Sequence, residues 1–197
     1  MSVDRIVPEH HEGFQTNTES SVELNSEADA KRLFEKVKQR LLQINNWQQY
    51  AGNATADFQL TDKKGNPVNR IPQTGDHIKI DIPGPGTKTG EGHDWVQIEA
   101  IEQNDNFIGI RVRPASNPEN KEEVVAHFFS EETTSSFIVK REAKKITAGV
   151  YGRNEKPNTK SETLADKIRN ATVATGAVSG LSKLQWKSLV NGLVNID

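Results

Sequence analysis

The 197-residue chain contains no cysteine. That excludes disulfides, thiolate metal sites and a cysteine nucleophile. No run approaches the roughly 18–20 apolar residues that span a bilayer. The first thirteen residues are charged and lack the apolar stretch of about 7–15 residues that marks a secretory signal. A soluble, cytoplasmic protein is therefore expected. A surplus of one charge is missing as well: Lys+Arg 25 against Asp+Glu 27 leaves a formal net charge of -2. No bulk field draws the chain to nucleic acid or to an anionic membrane, so neither is an expected partner. Apolar residues are scarce too, at 34%. The polar excess sits in loops and in the N-terminal stretch, which leaves an ordinary core elsewhere.

The length fits one domain that buries about 70% of its unfolded surface. Residues 1–17 carry no periodicity and read as a mobile or surface-draped arm, with one domain over 18–197. Val22 and Leu24 alternate with polar neighbours in a short strand, Glu19 to Leu24. Ser26 then offers a side-chain cap, and Glu27 and Asp29 complement the positive end of a helix. Leu33, Phe34, Val37, Leu41 and Ile44 fall on one stripe of a single amphipathic helix, Ser26 to Asn45. Trp47 and Tyr50 follow in a connecting segment.

The middle of the chain is β. Ala56, Phe58 and Leu60 alternate with polar residues, as do Ile78, Ile80 and Ile82. Trp95 to Ile101 and Phe107 to Arg113 read as a hairpin around Gln103 to Asn106. Glu123 to Ser130 and Ser135 to Glu142 read as a second hairpin. Ile146 to Gly152 either prolongs the last strand or forms another. Beyond Pro157, the Thr159/Glu162 spacing of a capping box opens a helical stretch that carries Leu164, Ile168, Ala171 and Val178. Ser182 and Gln185 repeat the box, and Trp186, Leu189, Val190, Leu193 and Val194 form a second apolar stripe. The C-terminal helix is thus expected to break near Gly180. The fold class is α+β: a curved antiparallel sheet of six or seven strands around a long C-terminal helix, with an N-terminal helix after the first strand.

This order of elements, with Asn46-Trp47-x-x-Tyr50 and Leu184-x-Trp186-x-x-Leu189, resembles the START-like, helix-grip superfamily (SRPBCC-type). That superfamily includes polyketide cyclases, lipid-transfer domains and pollen-allergen-type proteins. The resemblance covers Glu19 to Val194 and implies a cavity between sheet and closing helix for an apolar or amphipathic small molecule. The superfamily usually has two short helices where this sequence reads as one. It has no universal catalytic motif, so the resemblance transfers no functional residue.

Several local patterns suggest chemistry that their context does not support. The loop from Pro83 to Gly90 lacks the glycine before Lys88 and the following helix that a phosphate loop requires. It reads as a connector or a rim loop. His10 and His11 are adjacent in the arm, without the i, i+4 spacing of a helical zinc pair. His93 and Asp94 are neighbours that point apart if they lie in a strand. No metal or other cofactor is expected. His127, in a run apolar on both faces, needs a hydrogen-bond partner and is either a satisfied core histidine or an acid/base group. Arg141 shares parity with Phe137 and Val139. It either enters the cavity, where it would hold a carboxylate, or lies outside if the strand leaves the sheet first. Arg111, Arg113, Lys140, Lys144 and Lys145 mix with Glu99, Glu102 and Glu142 in a solvated outer face.

The leading functional expectation is binding of a small hydrophobic or amphipathic ligand. Phe58, Ile80, Ile98, Ile110 and Phe129 are candidate walls, and His127 and Arg141 are candidate polar contacts. The alternatives are a cavity-based cyclase or hydrolase, and a non-catalytic interaction protein with a filled core. The oligomeric state is left open.

Overall fold

A computed structural model of the chain describes residues 6–52, 56–82, 90–120, 124–159 and 181–196. The strands are β1 (Phe14–Glu23), β2 (Asp57–Thr61), β3 (His77–Asp81), β4 (Asp94–Asn104), β5 (Phe107–Pro114), β6 (Thr134–Glu142) and β7 (Lys145–Glu155). They form one seven-stranded sheet in the order β1-β7-β6-β5-β4-β3-β2. Every neighbouring pair is antiparallel. The helices are α1 (Glu27–Leu42), α2 (Trp47–Ala51) and α3 (Leu181–Leu193). This is the α+β arrangement expected, with a helix after the first strand and another at the C-terminal end.

Local chemistry explains why the elements lie where they do. Ser26 caps α1 by accepting the Asp29 N–H at 3.1 Å, which satisfies one of the helix's free donors. Leu33, Phe34, Val37 and Leu41 of α1 are buried against the sheet's inner face, where Ile110, Phe137, Val139 and Ala148 meet them in one core. The alternation of β3, β5 and β7 supplies that face. From α3, Leu189, Val190 and Leu193 complete it. The helix packs close to α2 because Gly192 has no side chain: a β-carbon there would stand 1.9 Å from the Tyr50 carbonyl oxygen. Arg40 of α1 donates to the Leu193 carbonyl at 2.8 Å, capping the C-terminal end of α3.

Three sequence expectations meet a different structure. The first helical segment is not one helix: a 3-10 turn (Ile44–Asn46) separates α1 from α2. Asn45 anchors that turn by accepting the Leu60 N–H at 2.6 Å and donating to the Val68 carbonyl at 2.9 Å. Strand β1 begins at Phe14, earlier than Glu19. Val124–Ser130 is not a ladder strand. Both edges of β6 are already taken by β5 and β7, so this stretch crosses the sheet's end as a strap held by single bridges at Val125 and Phe129. Asn158 secures it by donating to the Val125 and His127 carbonyls, each at 3.1 Å. Finally, α3 starts at Leu181 with the stripe as read. The expected helix over 161–180 and the break at Gly180 lie outside the described residues, as does the loop 83–89.

The sheet's outer face is partly covered by the arm. Ile6 is fully buried and packs with Phe107 and Ile138. The Ser136 hydroxyl donates to its carbonyl at 2.7 Å. Nearby, Arg111 and Arg113 both pair with Glu99, giving the mixed charged surface expected there.

Candidate functional site

The inner face ends in an aromatic cluster. Trp47 opens α2 and donates its indole N–H to the Leu41 carbonyl at 3.0 Å. Its ring lies 5.4 Å from that of Phe58 and 4.6 Å from that of Phe137, centroid to centroid. Trp186 of α3 closes the group, 6.0 Å from Phe58 and 5.3 Å from Phe137. The strap adds Phe128 and Phe129, with the His127 ring stacked 4.3 Å from Phe128. These rings surround a cavity of about 50 Å³, whose lining also includes Ile78, Ile80, Val112, Ser135 and Glu155.

Glu155 is the acid in this apolar lining. It is only 6% exposed. Oε1 accepts the Thr16 hydroxyl at 3.0 Å, while Oε2 is buried with no partner among the described residues. Burial pushes its carboxyl above the ordinary 4.5, against the opposing pull of Thr16 and of the Arg153 guanidinium. A break in the alternation of β7 brings it inward. Phe14 pairs with Glu155 and Thr16 with Gly152, so one residue of β1 faces two of β7. Asn154 takes up the extra residue at φ 55°, a left-handed conformation that asparagine adopts more readily than most residues. Its side chain accepts the His11 and Glu12 N–H groups at 2.9 and 3.2 Å, which ties the arm to the same strand end.

The sequence candidates divide. Phe58, Ile80, His127 and Phe129 converge on the cavity. Ile98 and Ile110 are buried in the core but do not line it. Arg141 does not reach it either. At the far end of β6 its guanidinium donates to the Asn106 side chain and to the Ala143 carbonyl, because the strand runs out into the β6–β7 turn. His127 is held by the Phe129 N–H, which donates to Nδ1 at 2.9 Å. This leaves the proton of the neutral ring on Nε2. Asp94 accepts the Phe128 N–H at 3.1 Å, and the His93 ring lies 3.1 Å from the Glu91 carbonyl. Glu155 and the two tryptophans also line the cavity and are not among the sequence candidates. The tryptophans had a signal, since they are the residues quoted for the superfamily resemblance. Glu155 had none, because strict alternation from Val150 places it on the other face.

A larger hollow of about 510 Å³ lies outside the core, between α1 and residues 71–74, lined by Lys38, Gln39, Leu42, Ile71, Gln73 and Ile101 among others. Among the described residues no three His, Asp or Glu side chains gather as a metal site. Nor is any described helix long and apolar enough to cross a membrane.

Comparison with solved structures supports the fold. A hypothetical protein from Helicobacter pylori matches with a TM-score of 0.54 at 13% identity, over 93% of this chain and 87% of its own. Looser similarities include a major latex-like protein from Panax ginseng, with a TM-score of 0.41 at 13% identity over 84% of this chain and 96% of its own. Another is a di-domain ARO/CYC protein of the BE-7585A biosynthetic pathway, with a TM-score of 0.42 at 13% identity over 92% of this chain and 46% of its own. No family model and no curated protein matches the sequence. At such identities the likeness concerns the fold alone.

Proposed function

We propose that the protein binds a small amphipathic molecule whose polar end reaches Glu155 while its apolar part lies among the aromatic rings. The observation that carries this reading is the buried, unpartnered Oε2 of Glu155 in a lining that is otherwise almost wholly apolar. A polar atom left so costs about 1–3 kcal/mol, so it marks a place where a partner is missing. Phe58, Ile80, Phe129 and Trp186 serve as walls, and His127 offers its ring beside Phe128. The cavity of about 50 Å³ takes the end of a ligand, since whole drug-sized molecules occupy pockets of about 300–1,000 Å³. A ligand that binds the native state raises its apparent stability, by about 2.7 kcal/mol at one hundred times Kd. Thermal unfolding against a panel of small amphipathic and apolar compounds tests the reading. A panel without a single upward shift contradicts it.

The narrowness of the cavity favours a second reading, an interaction protein with a nearly filled core. Its contact surface would include the outer hollow, where Ile71 is 60% exposed. Ile71→Asp abolishing a partner's binding while leaving every small-molecule shift at zero would select it.

A further inference from the structure

We propose that the buried end of the ligand is an organic cation, a primary or methylated ammonium group held between Glu155 and the aromatic rings. This rests on the cavity reading above and narrows its ligand class.

Three observations carry it. First, Glu155 lines the cavity; one of its carboxyl oxygens is buried with no partner among the described residues, and the other already has a neutral donor in Thr16. Second, the cavity holds no cation of its own: its described lining contains neither lysine nor arginine. Of the two nearest cations in sequence, Lys156 pairs with Glu12, and Arg153 donates to the Asn17 side chain at 2.7 Å and to the Gly152 carbonyl at 2.8 Å. His127 does not supply the charge while its Nδ1 accepts the Phe129 N–H. Third, the walls are the rings of Trp47, Phe58, Phe128, Phe129, Phe137 and Trp186. Ring faces are negative and attract a cation within about 6 Å, and aromatic cages hold ammonium groups by this means. A buried carboxylate with no direct ion pair among the described residues is costly, and an incoming cation offsets that cost. The volume of about 50 Å³ suits one small head group.

Burial raises the Glu155 carboxyl's affinity for its proton, so cation and proton compete for the same oxygen. The groups acting on it are Thr16 from β1 and Arg153 on its own strand; the strap contributes His127 to the same lining, and α2 and α3 contribute Trp47 and Trp186.

The test is an NMR titration of the full chain with n-butylammonium, n-butanol and butanoate at pH 7.5 and at pH 5. The expected result is at least tenfold tighter binding of butylammonium than of butanol at pH 7.5, with no binding of butanoate and a weaker preference at pH 5. Glu155→Gln is expected to bring ammonium and alcohol within twofold while butanol still binds. Trp186→Leu, which leaves the carboxyl in place, weakens the ammonium more than the alcohol. Equal binding of butanol and butylammonium by the unaltered protein overturns the cation but leaves the cavity reading standing. Binding of none of the three overturns both.

Discussion

A β-carbon on Gly152 would stand 2.0 Å from Oε1 of Glu155 and 2.5 Å from the Thr16 hydroxyl oxygen. The bare glycine is what lets the carboxyl fold back over the inner face of β7 and hold its bond to Thr16. Gly152→Ala is therefore expected to displace the carboxyl and break that bond. A stability loss of about 1–3 kcal/mol in urea is expected from the overpacking. Any ligand preference that depends on Glu155 is lost with it. Unchanged binding in a folded Gly152→Ala variant contradicts this placement of the carboxyl.

Two buried groups give the stability a pH dependence of opposite sign. Burial raises the Glu155 pKa, so between 4.5 and its raised value the native state holds more protons than the unfolded chain. The stabilisation is complete below 4.5 and fades as pH rises through the raised value. Glu155→Gln is expected to remove that fall and to be the more stable protein at neutral pH. Burial lowers the His77 pKa from 6.5, and Nδ1 of His77 is buried without a hydrogen-bond partner among the described residues. Its contribution is complete above 6.5 and is lost as pH falls through the lowered value. His77→Gln should therefore flatten the acid side of the curve. Urea midpoints from pH 4 to 8 for the two variants check both signs.

Trp47 joins α2 to the cavity wall through its rings and its N–H bond to Leu41. Trp47→Phe keeps a ring but drops the bond, at an expected cost of about 0.5–1.5 kcal/mol. Trp47→Ala is expected to cost about 3–5 kcal/mol, because it leaves a void beside Phe137. Chemical denaturation of the pair distinguishes a bonded indole from one that merely fills space.

Ile6 sits on the outer face with its side chain against Gly109, where a β-carbon would come within 2.8 Å of it. Ile6→Ala is expected to cost about 2–5 kcal/mol, as for a core isoleucine. A freely moving arm predicts a loss near zero. Increased binding of a hydrophobic dye accompanies the loss as Phe107 and Ile138 become exposed.

The sequence made the regular parts legible because periodicity and capping are local. Ser26, the stripe Leu33–Leu41 and the alternation through Ile78 and Ile110 each fix an element by themselves. The strap was misread because the apolar run around His127 satisfies a strand pattern, while the absence of a free β6 edge is a property of the whole sheet. Arg141 had the parity expected of an inward residue, yet distance along the strand carries it past the cavity to Asn106. Glu155 was hidden by Asn154, whose left-handed backbone exchanges the two faces for the residue that follows. Phe58, Ile80, His127 and Phe129 lie where the pattern puts them, in the cavity lining, because nothing interrupts the alternation around the first two and because burial of the strap needs only an apolar run.

The most direct test of the account is a carboxyl-carbon NMR titration of Glu155, free and with n-butylammonium. The account predicts a midpoint above 4.5 in the free protein and a downward move when the cation is added. A midpoint at 4.5 that the cation leaves in place would contradict it.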